Sequence, residues 1–148
     1  MTYGGTTKKA GNFAKNDIGS NVVVTTGDGW VDIVSVSNFT VSEDAESIKI
    51  TSVSHSTSSA PDSSLSPADQ FETRIIRDPG AAIVDTSGVI DMNNLLSAAA
   101  ASGLVQFDTP DPGVYTYKLQ TRITKVSGST NATITYDRAT LQIDERVS

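Results

Sequence analysis

Apolar and polar positions alternate with a period of two along most of this chain, the repeat of a half-buried β-strand. The longest such stretch is Val114–Val126 (VYTYKLQTRITKV). It sets Tyr115, Tyr117, Leu119 and Ile123 on one face and Thr116, Lys118, Gln120, Arg122 and Thr124 on the other. One face is dry and one is wet, as in an antiparallel sheet. Ala132–Tyr136 and Ala139–Ile143 repeat the pattern, but the apolar parity moves from even to odd positions at Asp137-Arg138. A one-residue change of parity inside a strand is the mark of a bulge.

Further strands follow from the same rule. Asn21–Thr26 (NVVVTT) is β-branched and ends at Gly27-Asp28-Gly29, where glycine takes positive φ freely. Trp30–Val36 (WVDIVSV) comes directly after, so the two read as a hairpin, with Asn38–Val41 continuing the second strand or opening a third. Trp30–Val36 has apolar side chains on both faces, which predicts a strand covered on both sides with Trp30 in the core. Ser47–Val53 alternates after the acidic turn Ser42–Glu46, with Ile48, Ile50 and Ser52 on one face and Lys49, Thr51 and Val53 on the other. Phe71–Ile76 is a strand closed by Asp78-Pro79-Gly80, and Ala81–Asp91 holds two short apolar runs.

Three segments break the pattern. Ser54–Pro67, with six serines in its first eleven positions and two prolines, is expected to be a loop. Ser66-Pro67-Ala68-Asp69 has the composition of a helix start. Met92–Ala101 is expected to be one short helix, rich in Ala and Leu, with Gly103 as its cap. Residues 1–20 have no sustained period, four glycines and the isolated anchors Tyr3, Phe13 and Ile18. They are expected to form a flexible arm, or a docking strand, ahead of a domain over residues 21–148. The whole predicts seven to nine strands with closely spaced turns: an all-β antiparallel sandwich of jelly-roll type, with one short helix and an N-terminal arm.

Composition narrows the function. The chain has 148 residues, one ordinary domain, with 37% apolar residues and no cysteine, so disulfides and thiolate sites are excluded. No apolar run reaches the length of a membrane span, and the first residues lack the apolar run of a secretory signal. The net charge of −6 divides into +2 over residues 1–20, −10 over residues 21–112 and +2 over the remainder. An acidic middle argues against nucleic acid as a partner. His55 is the single histidine and falls in the predicted loop, and no Gly-x-Ser-x-Gly is present. A His-based metal site is therefore not expected. Glu43, Asp44 and Glu46, and Asp108 with Asp111, cluster in turns rather than across an aromatic-lined cleft. They leave calcium open, although the Asp-x-Asp-x-Asp-Gly loop is missing. Nucleotide-binding glycine motifs are also missing. Asn38 and Asn131 each head an Asn-x-Thr tripeptide. Neither a catalytic residue nor a cofactor is expected. Tyr115 and Tyr117 are expected to face the core, with a subunit interface as the alternative.

Gly113–Gln120 (GVYTYKLQ), Ala132–Tyr136 and Ala139–Ile143 (ATLQI) together resemble the closing hairpin of trimeric jelly-roll proteins of phage particles. These are capsid decoration (cement) proteins and fibre-tip domains, with a fold similar to C1q and tumour-necrosis-factor domains. The resemblance covers the last third of the chain and departs from the family at Met92–Ala101. It implies a homotrimer on the virion surface, with the major capsid protein as partner. On that reading Tyr3, Lys8, Lys9, Phe13 and Lys15 of the arm contact the shell, and Tyr115 and Tyr117 lie where subunits meet. The alternative is a fibre-tip or lectin-like domain that binds a receptor glycan through its loops. The missing shaft, coiled-coil or collagen-like, favours the decoration protein.

Overall fold

The computed structural model describes residues 11–59, 70–80, 82–86, 90–91, 99–124 and 133–147. They form ten strands: β1 (Phe13–Asp17), β2 (Val22–Thr25), β3 (Val31–Val41), β4 (Ala45–Ser59), β5 (Gln70–Asp78), β6 (Ala82–Thr86), β7 (Ile90–Asp91), β8 (Ala99–Asp108), β9 (Gly113–Thr124) and β10 (Thr133–Val147). Sheet A runs β1-β10-β4-β8, with β2 also on β10, and sheet B runs β3-β9-β5-β6, with β7 on β5. Every pairing is antiparallel. The first strands pair with the last, β3 with β9, β4 with β8 and β5 with β6. This nested winding over two sheets is a jelly roll.

The core lies between the sheets. Sheet A supplies Val24, Ile48, Ile50, Ile134, Tyr136, Leu141 and Ile143, and sheet B supplies Ile33, Val34, Val36, Phe39, Val41, Ile75, Tyr117, Leu119 and Ile123. Hydroxyl contacts cross it, Thr121 Oγ1 lying 2.8 Å from the Tyr136 hydroxyl. At one end Glu145 is buried on β10. Its carboxylate accepts from the Ser42 N–H at 3.2 Å, the Asn12 amide at 3.2 Å and the Ser42 hydroxyl. Gly11 passes so close that a Cβ there would stand 2.0 Å from the Glu145 carbonyl oxygen. In the same cross-strand row, through Ile48, Asp108 stands on β8, and its carboxylate accepts from Arg77 at 2.5 Å and from the Tyr117 hydroxyl at 2.9 Å, joining the two sheets.

The predicted bulge is present: Tyr136 pairs with Ser56 and Arg138 with His55, leaving Asp137 as the extra residue. It also marks where one edge of β10 changes partner, β1 covering residues 140–144 and β2 residues 133–136.

Several expectations are corrected. Asn21–Thr26 and Trp30–Val36 are not a hairpin, because β2 belongs to sheet A and β3 to sheet B. Gly27 (φ 92°), Asp28 and Gly29 (φ 73°) instead turn the chain from one sheet to the other. The run Trp30–Val36 is not covered on both sides. Ile33 is an extra residue between Asp32 and Val34, so the consecutive Ile33 and Val34 both face the core. Residues 54–59 are strand, not loop: β4 continues and keeps its alternation, with Ser52, Ser54 and Ser56 buried. The predicted helix is corrected where it can be seen. Ala99, Ala100 and Ala101 pair with Thr57, Ser56 and His55, and Gly103 pairs with Val53 inside β8 rather than capping a helix. Residues 92–98 of that segment, and the helix-start composition at residues 66–69, lie outside the described residues. From Gly11 on, the expected arm is part of the sandwich, since β1 is zipped to β10.

Candidate functional site

His55 and Asp137 form a couple on the surface, without a serine beside it on the same face of β4. His55 Nδ1 lies 2.6 Å from Asp137 Oδ1, joining β4 to the bulge of β10. That hydrogen bond holds the Asp137 carboxyl below the ordinary carboxylate range. His55 is thus a strand residue, not a loop residue, and it is half exposed. A His–Asp couple needs a hydroxyl nucleophile within reach. Ser54 and Ser56, its neighbours in sequence, are buried on the opposite face of the strand. The couple and Arg138 line an open depression of about 300 Å³. Among the described residues no group of three or more His, Asp or Glu is placed to hold a metal, and no helix is long and apolar enough to cross a membrane. Asn38, at φ 56°, sits exposed on the second bulge of β3; Asn131 lies outside the described residues.

The sequence-predicted contact residues separate clearly. Tyr3, Lys8 and Lys9 lie outside the described residues. Phe13 and Lys15 are exposed on β1. Tyr117 faces the core, the first of its two readings, and the interface alternative is corrected: it is fully buried, packs edge-to-face on Phe39 with ring centroids 6.3 Å apart, and has no surface to offer a neighbouring subunit. Burial, with Asp108 beside it, pushes its phenol far above the ordinary tyrosine range. Tyr115 is half-buried; its hydroxyl donates to the Asp111 carbonyl at 2.8 Å, and the Arg77 guanidinium lies 5.2 Å from its ring centroid.

The two outer faces of the sandwich differ sharply. On sheet B, Gln120 of β9 pairs with Asp32 of β3 and Arg74 of β5, and its amide bonds both: Arg74 Nε donates to it at 2.7 Å and it donates to Asp32 at 2.6 Å. Lys118 lies 3.3 Å from the other Asp32 oxygen, and Arg122 bonds Glu72. Trp30 is corrected from core to this outer face. The Arg74 and Arg122 guanidiniums lie 4.1 and 4.6 Å from its ring centroid, a double cation–π contact that screens the indole from water.

Sheet A is built otherwise. Its cross-strand register aligns Phe13, Asp144, Lys49 and Phe107 in one row and Lys15, Gln142, Thr51 and Val105 in the next. Asp17, Thr140, Val53 and Gly103 make the third. Of the six large hydrophobic side chains exposed among the described residues, Phe13, Val23, Val53, Val105 and Phe107 stand on this face, each more than half exposed. Only Val114 stands on the other face. Lys15, Lys49 and Arg146 border the apolar positions, Arg146 lying 5.8 Å from the Phe107 ring centroid. Asp17 and Asp144 are the carboxylates of these rows. The alternation of Ser47–Val53 sets Val53 on one face with Lys49 and Thr51, but nothing local shows that Val105 and Phe107 join it.

No protein-family model and no curated protein sequence matches this chain. Among solved structures it is similar to a chain in the structure of the infectious bursal disease virus Gx strain (12% identity, TM-score 0.47), over 94% of this chain and 38% of that chain. It is likewise similar to the infectious bursal disease virus VP2 subviral particle (12% identity, TM-score 0.44), again over 94% and 38%. A third is the T=1 particle derived from infectious bursal virus (13% identity, TM-score 0.43), over 94% and 37%. The chain spans little more than a third of the length of these proteins, and no residue role passes from them to it.

Proposed function

We propose that this chain is a non-enzymatic structural subunit of a virus particle, a decoration or cement protein that docks on the outer surface of a phage head. The observation that carries the proposal is the outer face of sheet A. Val53, Val105 and Phe107 adjoin on β4 and β8, with Phe13 and Val23 set apart on β1 and β2, and exposed hydrophobic side chains gathered on one face of a domain mark a docking surface. β1 forms one border of that face, so Phe13 and Lys15 stand on it, and the basic segment with Lys8 and Lys9 comes just before β1 in the sequence. The chemistry fits a partner that offers apolar surface bordered by carboxylates, and the major capsid protein of the particle is that partner. Sheet B, finished with paired charges, faces solvent.

Co-sedimentation of the full chain with undecorated capsids tests this. The expected result is saturable binding at a fixed copy number. Val105→Lys with Phe107→Lys should weaken it at least about tenfold, the effect of losing a central apolar contact. Failure to bind capsids, with binding to a glycan array instead, would replace this reading with the fibre-tip or lectin-like one.

A further inference from the structure

The lateral edges of the two sheets are not finished alike. β1 and β2 are five and four residues long, are interrupted at residues 18–21 and carry Lys15 and Asp17. Side-chain amides of Asn12 and Asn16 tie that edge to the Thr40 and Ser35 carbonyls of β3, each at 2.8 Å. β3 is bent by two register shifts, and β6, five residues long, shifts register against β5 at Ile75/Ile76. Interruption, charge, shortness and bulges are the devices that keep strand edges from pairing with other chains.

β8 has none of them. Its ten residues pair with β4 without one register shift, from Asp108 opposite Ile48 to Ala99 opposite Thr57. It contains no proline, and residues 99–107 include no charged residue. Among the described residues, no strand pairs with its second edge.

We propose that β8 is a self-association edge: two copies of this chain pair β8 antiparallel to β8 about a twofold axis and continue sheet A from one copy into the other. Charge selects a second copy as the occupant. At a net charge of −6 the copies repel each other. A twofold contact brings a surface against itself, so it needs a strip where charges are absent or cancelled. β8 is such a strip: its one carboxylate, Asp108, is held by Arg77 at 2.5 Å, and on the adjoining strands Lys49 stands opposite Asp144. A strongly charged partner would find no counter-charge along this edge. Shape agrees. With the axis at Leu104, the exposed Val105 of each copy lies across from Gly103 of the other, a large residue against none. The inference rests on the edge alone, so it fails or holds separately from the capsid reading.

Light scattering on the full chain, without capsids, tests it. The expected mass at tens of micromolar is twice the 15.5 kDa of one chain. Gly103→Lys is the decisive variant. A Cβ at Gly103 meets only the Ser52 carbonyl oxygen, at 3.8 Å, so the fold accommodates it, while two lysines would face the axis. It should give the mass of one chain with an unchanged circular dichroism spectrum, and Gly103→Ala should keep the pair. A wild-type mass of one chain overturns the proposal, and protected β8 amides in that monomer would show that the chain covers its own edge. A threefold mass overturns it in favour of the homotrimer. A folded Gly103→Lys that remains paired overturns it as well.

Discussion

The two outer faces of this sandwich come from the same alternation and end in opposite states. On sheet B every outward charge at the centre has a partner: Arg74 with Gln120, Gln120 with Asp32, Asp32 with Lys118 and Arg122 with Glu72. The one large aromatic there, Trp30, is roofed by two guanidiniums. On sheet A the outward positions of β1, β4 and β8 hold Phe13, Val53, Val105 and Phe107 with their apolar surface in water. Leaving such side chains exposed forgoes roughly 25 cal/mol per Å² of burial. One face pairs its central charges and covers its large aromatic within the chain, and the other leaves four large apolar side chains in water.

The largest effect that separates the faces is on stability. Trp30→Ala removes both cation–π contacts and should lower unfolding stability by roughly 1–2 kcal/mol in denaturant melts, with capsid affinity unchanged. A loss of capsid binding in that variant, at full folding, would reverse the assignment of faces. A smaller effect sharpens the picture at the bulge. The His55 bond lowers Asp137 from its ordinary 3.8, so its contribution is fully present above about that pH and is lost as pH falls through the lowered value. Melting temperatures between pH 5 and pH 2 should therefore fall more in the wild type than in His55→Ala. Equal slopes would show that the bond contributes nothing to the bulge.

How much of this was legible depended on whether the signal was local. The parity change at Asp137-Arg138 announced the bulge because the whole event fits within ten residues, and β9 announced itself by uninterrupted alternation. The end of β4 was hidden because its inward positions change from Ile48 and Ile50 to Ser52, Ser54 and Ser56: the strand keeps its period while the hydrophobicity that reports it disappears. Ala99, Ala100 and Ala101 carry helix propensity, and their pairing with Thr57, Ser56 and His55 overrides it. Trp30 looked like core because the guanidiniums that cover it come from β5 and β9, far along the chain. The winding was out of reach for the same reason, since Phe13 pairs with Asp144. The outer face of sheet A combines β1, β4, β8 and β10, so none of its rows is visible from one segment.

The chain has no cysteine, so a thiol introduced on either face is its only one. The most direct test of the account compares maleimide labelling of Val53→Cys on sheet A and Lys118→Cys on sheet B, free and bound to capsids. Binding should suppress labelling at position 53 at least about tenfold, as expected for a site inside a water-excluding interface, and leave position 118 as reactive as in the free chain. Suppression at 118 with full reactivity at 53 would contradict it.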